Sequence, residues 1–456
     1  MSVPVWPASN FMSLQRRLNL GDAVLLIIGN VVGAGIFTTS GFLAGELSHP
    51  WLFLGIWLLG GLLTICGALS YAELAGMFPL SGGDYQYLKA AYGRWAGFML
   101  GWVLFWVINP GSIAALAIGL VSYLSLFVPG LGAVEAKLLA IALILVFSWI
   151  NYRGLRLSGT TQNFLTLGTV LTLLVLIVAG FSSGGGNWQH LTASAAPVGS
   201  LGKLFATPMI AVIFTYSGWF AAAYIGGEIK NPRRNLPLSL ILGTLSVTLI
   251  YLLINLVYIY ALPMTQLKGA VNVAQVAMSG LYGPAVAGLV SIPIMLAIAA
   301  GINATILTGA RVSFAMGEDG VFWAPLKKVH ASYGTPACAV LCQALLACFL
   351  VGIGTFSQLL GYVVFVMLLS SIASVVALFV LRWRRPEVDR PYRTWGYPLV
   401  PLLFGAAYLW IAVQIGWANP RTSLLGILIA LTSLPFYLWR RRKVRAKSLW
   451  ADCLDG

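Results

Sequence analysis

The chain has 456 residues, of which 59% are hydrophobic and 9% are charged. Because a soluble globular domain carries about 25% charged residues, this composition excludes a soluble protein. Apolar runs of about 20 residues, the length that crosses a bilayer as a helix, recur along the whole sequence. They predict an all-α polytopic membrane protein rather than a β-barrel, whose segments are about 10 residues long and alternate.

Twelve transmembrane helices are predicted, and the basic residues orient them. With the N-terminus inside, 23 of the 27 lysines and arginines fall on one side. The positive-inside rule then places both termini in the cytoplasm of a multi-pass cell (plasma or inner) membrane protein. The net charge of +15 is thus assigned to topology and to membrane lipid, and no nucleic acid partner is expected. The predicted spans are 20–46, 51–75, 96–127, 134–151, 160–181, 205–229, 238–262, 285–315, 337–353, 357–381, 397–417 and 422–440.

The middle of the first span contains Gly29, Gly33 and Gly35. Glycine is a poor helix former, so these residues predict a break. Backbone groups freed inside a membrane are tolerated only where they are buried in protein or line a polar cavity. A second half-helix starting near Ile36 would offer a carboxylate free N–H groups and a partial positive charge of roughly half a unit. On this stretch alone, close helix packing through small residues is an equal alternative.

Polar residues also mark the second and third spans. Asn109 precedes Pro110 in the third span, where proline can kink the helix and Asn109 can face a polar cavity. Glu73 lies where the second span meets the cytoplasm. It is either an interfacial carboxylate paired with a loop cation or part of a gate.

The sixth span is interrupted like the first. Residues 213–220 include Thr215, Ser217 and Gly218 among bulky aromatic side chains. The two interrupted spans are five apart, which is the spacing of an inverted repeat whose broken helices meet at the bilayer midplane. In the eighth span Thr305 and Thr308 share a face, although hydroxyls in a helix more often bond their own backbone than a ligand.

Nothing in the sequence indicates an enzyme. The three histidines fall in predicted loops, and no nucleophile, paired-carboxylate or metal-ligand cluster lies within the spans. No catalytic residue, metal or cofactor is therefore predicted. A channel is an alternative of a different class, but channels favour symmetric oligomers, whereas two breaks within one chain favour a transporter.

Five motifs together resemble the amino acid–polyamine–organocation (APC) permeases, and within them the L-type amino acid transporter (LAT) branch. The resemblance runs from about Leu18 to Tyr397, and the motifs occur in the family's order and spacing. Any one of them is weak, but the five in order are strong. They are Gly33-Ala34-Gly35-Ile36-Phe37, Tyr71-Ala72-Glu73-Leu74 with Ser81-Gly82-Gly83-Asp84-Tyr85, Tyr216-Ser217-Gly218-Trp219, Glu228-x-Lys230-Asn231-Pro232-x-Arg234-Asn235-x-Pro237, and Leu307-Thr308-Gly309-Ala310-Arg311.

The resemblance implies a LeuT-like fold of five plus five helices in inverted repeat, with broken helices 1 and 6, that works by alternating access. A cytoplasmic N-terminal segment (1–19) would precede a transport core (20–396), whose repeats are 20–181 and 205–381. Helices 11 and 12 (397–440) and a basic cytoplasmic tail (441–456) would follow.

The resemblance also implies a substrate site at the two breaks. The N–H groups of Gly33, Ala34 and Gly35 would hold the carboxylate of an amino acid. Carbonyls near Ile28 and at Phe214, Thr215 and Ser217 would take its ammonium group, with Phe214 as a gate. Val32 and Ile36, beside these glycines, are further candidate substrate-binding residues, and so is Asn109 of the third span.

The charged and hydroxyl residues of the spans limit the possible substrates and the possible coupling ions. Asp22, Glu73 and Glu228 all lie near cytoplasmic ends, so neutral L-amino acids are favoured over cationic amino acids or polyamines. The lysine that many LAT-like bacterial proteins carry in span five is absent from 164–169. Thr305 lacks an adjacent hydroxyl residue, which sodium-coupled members tend to have.

These absences favour exchange over proton- or sodium-coupled symport, with Thr305 and Thr169 as coupling candidates. In the heteromeric animal transporters a cysteine between spans three and four joins the protein to a glycoprotein. Residues 128–137 contain none, so no covalent heavy chain is predicted.

Overall fold

The computed structural model describes residues 14–47, 49–125, 127–128, 130–192, 201–270, 272–353, 356–418 and 420–452. In this part of the chain nearly all regular structure is helical. Extended backbone pairs at two isolated bridges, Leu18 with Ile229 and Ser81 with Ile225. The prediction of an all-α protein is confirmed.

Helices occupy all twelve predicted spans. Among the described residues nine helices are long and apolar enough to cross a membrane, and the bent pair of the first span makes a tenth. The spans, in order, are Leu20–Val31 with Gly35–Leu47, Pro50–Met77, Arg94–Val103 continuing through Leu104–Ile108 to Asn109–Leu124, Ala133–Tyr152, Leu155–Ser182, Leu201–Thr215 with Ala221–Tyr224, Pro232–Ala261, Ala287–Glu318, Ala337–Ile353, Phe356–Arg384, Leu399–Ala418 and Pro420–Asp452.

The outward-facing surface of these helices is apolar. Phe164 is 72% exposed and Leu345 is 67% exposed, and both lie within spans. Soluble proteins rarely expose a continuous apolar surface of this kind to water, whereas lipid tails are as apolar as leucine. The exposed side chains thus fit a surface that is in contact with a bilayer.

Both predicted breaks are present, and the structure shows a local cause for the second. The first span bends by 42° between Leu20–Val31 and Gly35–Leu47. In the sixth span Gly218 has φ +99°, a conformation that side chains rarely adopt, and the helix stops at Thr215. Glycine therefore permits the sharp turn in the sixth span.

A π-helical turn, Leu104–Ile108, interrupts the third span just before Pro110. Proline has no N–H, and its ring clashes with the carbonyl four residues earlier, so a wider turn relieves the conflict. The kink predicted at Asn109 and Pro110 takes this form.

Two further helices lie between spans and are important for the site. Asp84–Tyr92 follows the second span after Gly83, which has φ +51°. Val273–Tyr282 lies between the seventh and eighth spans. Since successive spans run in opposite directions, the first helix lies on the side of residues 14–19, here called the termini side, and the second on the far side.

Candidate functional site

The two breaks lie against each other. The side-chain amide of Asn30 donates to the carbonyl oxygen of Gly218 at 3.1 Å. The hydroxyls of Thr39 and Thr215 are 2.8 Å apart. From the seventh span, the Tyr251 hydroxyl is 3.0 Å from the carbonyl oxygen of Val31 and 3.2 Å from that of Thr215. Side chains thus join the carbonyl ends of both broken helices.

The first break presents unpaired donors. Within the described part of the chain, the N–H groups of Gly33, Ala34 and Gly35 form no hydrogen bond, while the carbonyl of Ala34 accepts from Thr38 at 3.2 Å. These are the orphan donors of the half-helix Gly35–Leu47. A methyl group added at Gly33 would meet nothing within 4 Å, so open space lies beside the donors. This end of the helix suits an anion.

The sixth span supplies acceptors. The carbonyl oxygen of Phe214 accepts from the N–H of Ser217 at 3.0 Å, and that of Thr215 faces Tyr251. Because each carbonyl oxygen has two lone pairs, both retain capacity for a further donor. A cation near these oxygens and an anion near Gly33 would be held without a charged side chain.

A cavity of about 840 Å³ opens at the breaks. It extends past the end of the third span to the helix Val273–Tyr282, and so toward the far side. None of the described residues that line it is charged. The lining includes Asn30, Leu104, Ile108, Ser112, Leu116, Tyr123, Phe220, Tyr224, Gln275, Ile298, Met367 and Ser370.

Most of the predicted site residues lie on this cavity, namely Gly33, Ala34, Gly35, Asn109, Phe214, Thr215, Ser217 and Thr305. Four do not. Val32 and Ile36 are fully buried away from it, Thr169 donates to its own helix at Leu165, and Ile28 is buried outside the lining of the cavity.

Several lining residues were missed because hydropathy gives no signal for them. Asn30 is not among the predicted site residues, yet its side chain connects the breaks. Phe220 and Tyr224 follow the sixth break and form the floor of the cavity on the termini side. Their aromatic character was visible in the sequence, but the face they occupy was not.

Beyond the floor, ion pairs close the termini side. Arg311 and Glu228 are fully buried and form two hydrogen bonds, at 2.8 and 2.9 Å. Glu73 binds Arg382 at 2.6 Å and accepts from the N–H of Thr394 at 2.7 Å. Glu73 is thus a paired carboxylate. The backbone of residues 17–18 also bonds the carbonyl of Glu228, which closes the entrance further.

Behind the first half-helix, amide and hydroxyl groups form a buried network. Asn303 of the eighth span accepts from Asn151 at 2.9 Å and donates to Gln162 at 2.9 Å. Ser158 donates to Asn151 at 2.7 Å, and Gln162 donates to Thr166 at 3.1 Å. The network connects spans four, five and eight with no charged member, and its groups satisfy one another.

Comparison with known proteins assigns the chain to a family. The amino acid permease family matches residues 18–437. The chain belongs to this family. The permease is 32% identical to the serine/threonine exchanger SteT of Bacillus subtilis (strain 168), over 94% of this chain and 98% of that protein.

Two mammalian relatives match almost as well. The permease is 31% identical to the mouse Asc-type amino acid transporter 1, over 95% of this chain and 84% of that protein. It is 29% identical to the mouse large neutral amino acids transporter small subunit 2, over 93% and 81%. The resemblance to the LAT-like branch of the APC permeases is confirmed, and with it the LeuT-like fold class.

Replacing Tyr251 with phenylalanine should loosen the junction of the breaks. The variant loses the hydrogen bond to Val31, worth about 1 kcal/mol net, which corresponds to about fivefold in transport rate. The measurement is the rate of amino acid exchange in proteoliposomes. Tyr282→Phe removes a partly exposed hydroxyl and is the matched control. Equal rates for both variants would contradict the role of Tyr251.

Proposed function

We propose that the permease exchanges neutral L-amino acids across the cell membrane by alternating access, with both termini in the cytoplasm. The observation that carries the proposal is the uncharged cavity at the two breaks, with free N–H donors on one wall and carbonyl acceptors on the other. The family of the chain and the names of its relatives support the reaction class.

The proposed binding mode places each end of the substrate at a helix end. The carboxylate binds the N–H groups of Gly33, Ala34 and Gly35, where the dipole of the half-helix is positive. The ammonium group binds the carbonyl oxygens of Phe214 and Thr215. Both charges of the zwitterion are then matched, so no buried side-chain charge is needed, which would cost about 2.5–3.5 kcal/mol on insertion scales.

The lining favours a neutral side chain on the substrate. Leu104, Ile108, Leu116 and Met367 supply apolar contact, and no described lining residue carries a carboxylate for a distal cation. Transfer of an unpaired ammonium or guanidinium group into such a cavity is unfavourable. Cationic amino acids and polyamines are the weaker candidates for this reason.

The buried amide network supports exchange that does not depend on an ion. Behind the first half-helix, Gln162 donates a hydrogen bond to Thr166 and accepts one from Asn303. Because these polar groups satisfy one another, no cation is required to hold the spans together. A proton- or sodium-coupled symporter is the alternative. Uptake that requires an ion gradient and ignores internal substrate would establish it.

We also propose that the permease works without a covalently attached heavy chain. One relative is named a small subunit, and this name describes that relative alone. Residues 128–137 of this chain contain no cysteine for an equivalent bond at that loop.

The proposal is tested by uptake of labelled alanine, leucine and arginine into proteoliposomes. Internal unlabelled amino acid should accelerate uptake of alanine or leucine but not of arginine. Saturable uptake with this counterflow also separates a transporter from a channel. Uptake that is linear in concentration and indifferent to the internal pool would overturn the proposal.

Gly35→Ala tests the site. A methyl group there would lie 2.9 Å from two atoms of the Thr215 side chain, so this side chain and its 2.8 Å contact with Thr39 must shift. We expect about a tenfold loss of exchange, which corresponds to about 1.4 kcal/mol. Gly55→Ala, where the added methyl meets nothing within 4 Å, is the matched control and should exchange normally.

A further inference from the structure

Beneath the cavity floor lies a buried carboxyl group that forms no ion pair with any described residue. Asp84 begins the helix Asp84–Tyr92, is fully buried, and accepts a hydrogen bond from the Tyr224 hydroxyl at 2.9 Å. The hydroxyls of Tyr71 and Ser374 face the same carboxyl group. We call these four residues, with Tyr87, the Asp84 cluster.

Unpartnered polar atoms are concentrated in the Asp84 cluster. Among the described residues, only the Tyr224 hydroxyl is well aligned with Asp84; the buried hydroxyls of Tyr71 and Ser374 face the carboxyl group without good hydrogen-bond geometry, and Asp84 Oδ1 and the Tyr87 hydroxyl have no aligned partner. Buried polar groups are normally satisfied, so several orphans around one carboxyl group indicate a functional site. The groups present suit a bound proton, because a protonated carboxyl group can donate where a carboxylate cannot.

The Asp84 cluster is placed to control the floor of the cavity. Tyr224 lines the cavity with one face and bonds Asp84 with its hydroxyl. The ring of Tyr71 is 4.7 Å from that of Trp219 and 6.3 Å from that of Phe220, which also lines the cavity. A substrate that leaves toward the termini side must separate these side chains.

The Asp84 cluster also joins distant parts of the chain. Tyr71 belongs to the second span, Tyr224 to the end of the sixth and Ser374 to the tenth. Beside Asp84, the N–H of Gly82 donates to the carbonyl of Tyr224 at 2.9 Å. Opening the floor therefore breaks contacts of Asp84 and admits water to it.

The neighbouring charged groups do not neutralise Asp84. Glu73 of the second span is paired with Arg382 and Arg390, and Glu228 after the sixth span is paired with Arg311. On its own helix Lys89 binds Asp319, and Arg94 begins the third span. Tyr71, Tyr87 and Tyr224 are the other titratable groups that face it. The helix N-terminus favours the ionised form, but burial opposes it more strongly.

We propose that Asp84 is a proton-binding site that locks the floor of the cavity under acidic conditions, holding its proton while the termini side is closed and losing it when water enters. Burial raises the pKa of Asp84 from 3.8 to about 6 in the closed form. When water reaches the carboxyl group in the open form, the pKa returns toward its ordinary value.

The direction of the pH effect follows from the two pKa values. The form with the higher pKa binds the proton more tightly, so acidification from about pH 6 to about pH 4 favours the closed floor. Above pH 6 both forms are ionised, and the buried charge favours opening. Between pH 7.5 and pH 5 the closed form gains about 10-fold over the open form.

Two measurements test the Asp84 proposal in the full chain. Infrared difference spectroscopy should detect a buried protonated carboxyl group that disappears between pH 5 and pH 7.5 and is missing in Asp84→Asn. Exchange of labelled alanine at equal internal and external pH should slow by up to about 10-fold at pH 5 relative to pH 7.5. Asp84→Asn should remove this dependence, and Tyr224→Phe should move its midpoint to higher pH, because the carboxylate loses a donor.

Asp389→Asn is the matched control, since its carboxylate is 66% exposed and pairs with Arg233. It should retain both the infrared signal and the pH profile. A wild-type profile that is flat, or one that persists in Asp84→Asn, would overturn the lock. The infrared signal needs no transport, so failure of the exchange proposal would be recognised separately by absent counterflow at every pH.

Discussion

Amino acid exchange by the Gly218→Ala variant is expected to fall by at least about 100-fold, which corresponds to about 2.7 kcal/mol. Gly218 has φ +99°, a conformation that costs a residue with a side chain about 1–3 kcal/mol. The added methyl would also lie 2.8 Å from the backbone carbonyl oxygen of Asn30 and 2.7 Å from the nitrogen of its side-chain amide. Because one of these atoms is backbone, the two breaks must move apart.

Counterflow uptake in proteoliposomes measures this effect, with the amount of folded protein checked by size-exclusion chromatography. Gly405→Ala is the matched control, because a methyl group in that span meets nothing within 4 Å. If Gly218→Ala folds and exchanges within threefold of the wild type, the contact between the breaks is not required for transport.

Replacing Glu228 with glutamine is expected to destabilise the folded permease by about 3–5 kcal/mol, because Arg311 remains as a buried uncompensated charge. Both side chains are 0% exposed and share two hydrogen bonds. Glutamine keeps the shape of the carboxylate but removes its charge. The measurement is the midpoint of thermal unfolding in detergent.

The double variant Glu228→Leu with Arg311→Met separates charge burial from shape. It removes both charges and should recover most of the lost stability, since well-packed apolar residues often replace a buried pair at no cost. Asp389→Asn breaks an ion pair whose side chains are both 66% exposed, and it should shift stability by less than about 1 kcal/mol. A double variant less stable than Glu228→Gln would contradict the explanation.

These two sites differ in how visible they are in the sequence. Gly218 lies among Thr215, Ser217 and aromatic residues, a composition that predicts a broken helix without any knowledge of its partner. Glu228 was assigned only to a cytoplasmic end. Its partner is 83 residues away, and no local pattern specifies that Arg311 faces it.

The sequence by itself determined the spans, the two breaks and the absence of acidic residues from the middle of the spans. Hydropathy, glycine content and the distribution of basic residues act over windows of about 20 residues, so they can be read without a structure. Only the tertiary structure decided which groups meet. Asn30 and Gly218 are separated by 188 residues, the amide network combines three spans, and the Asp84 cluster combines three spans with a connecting helix. Helix packing sets these contacts, because it fixes which face of each span turns inward.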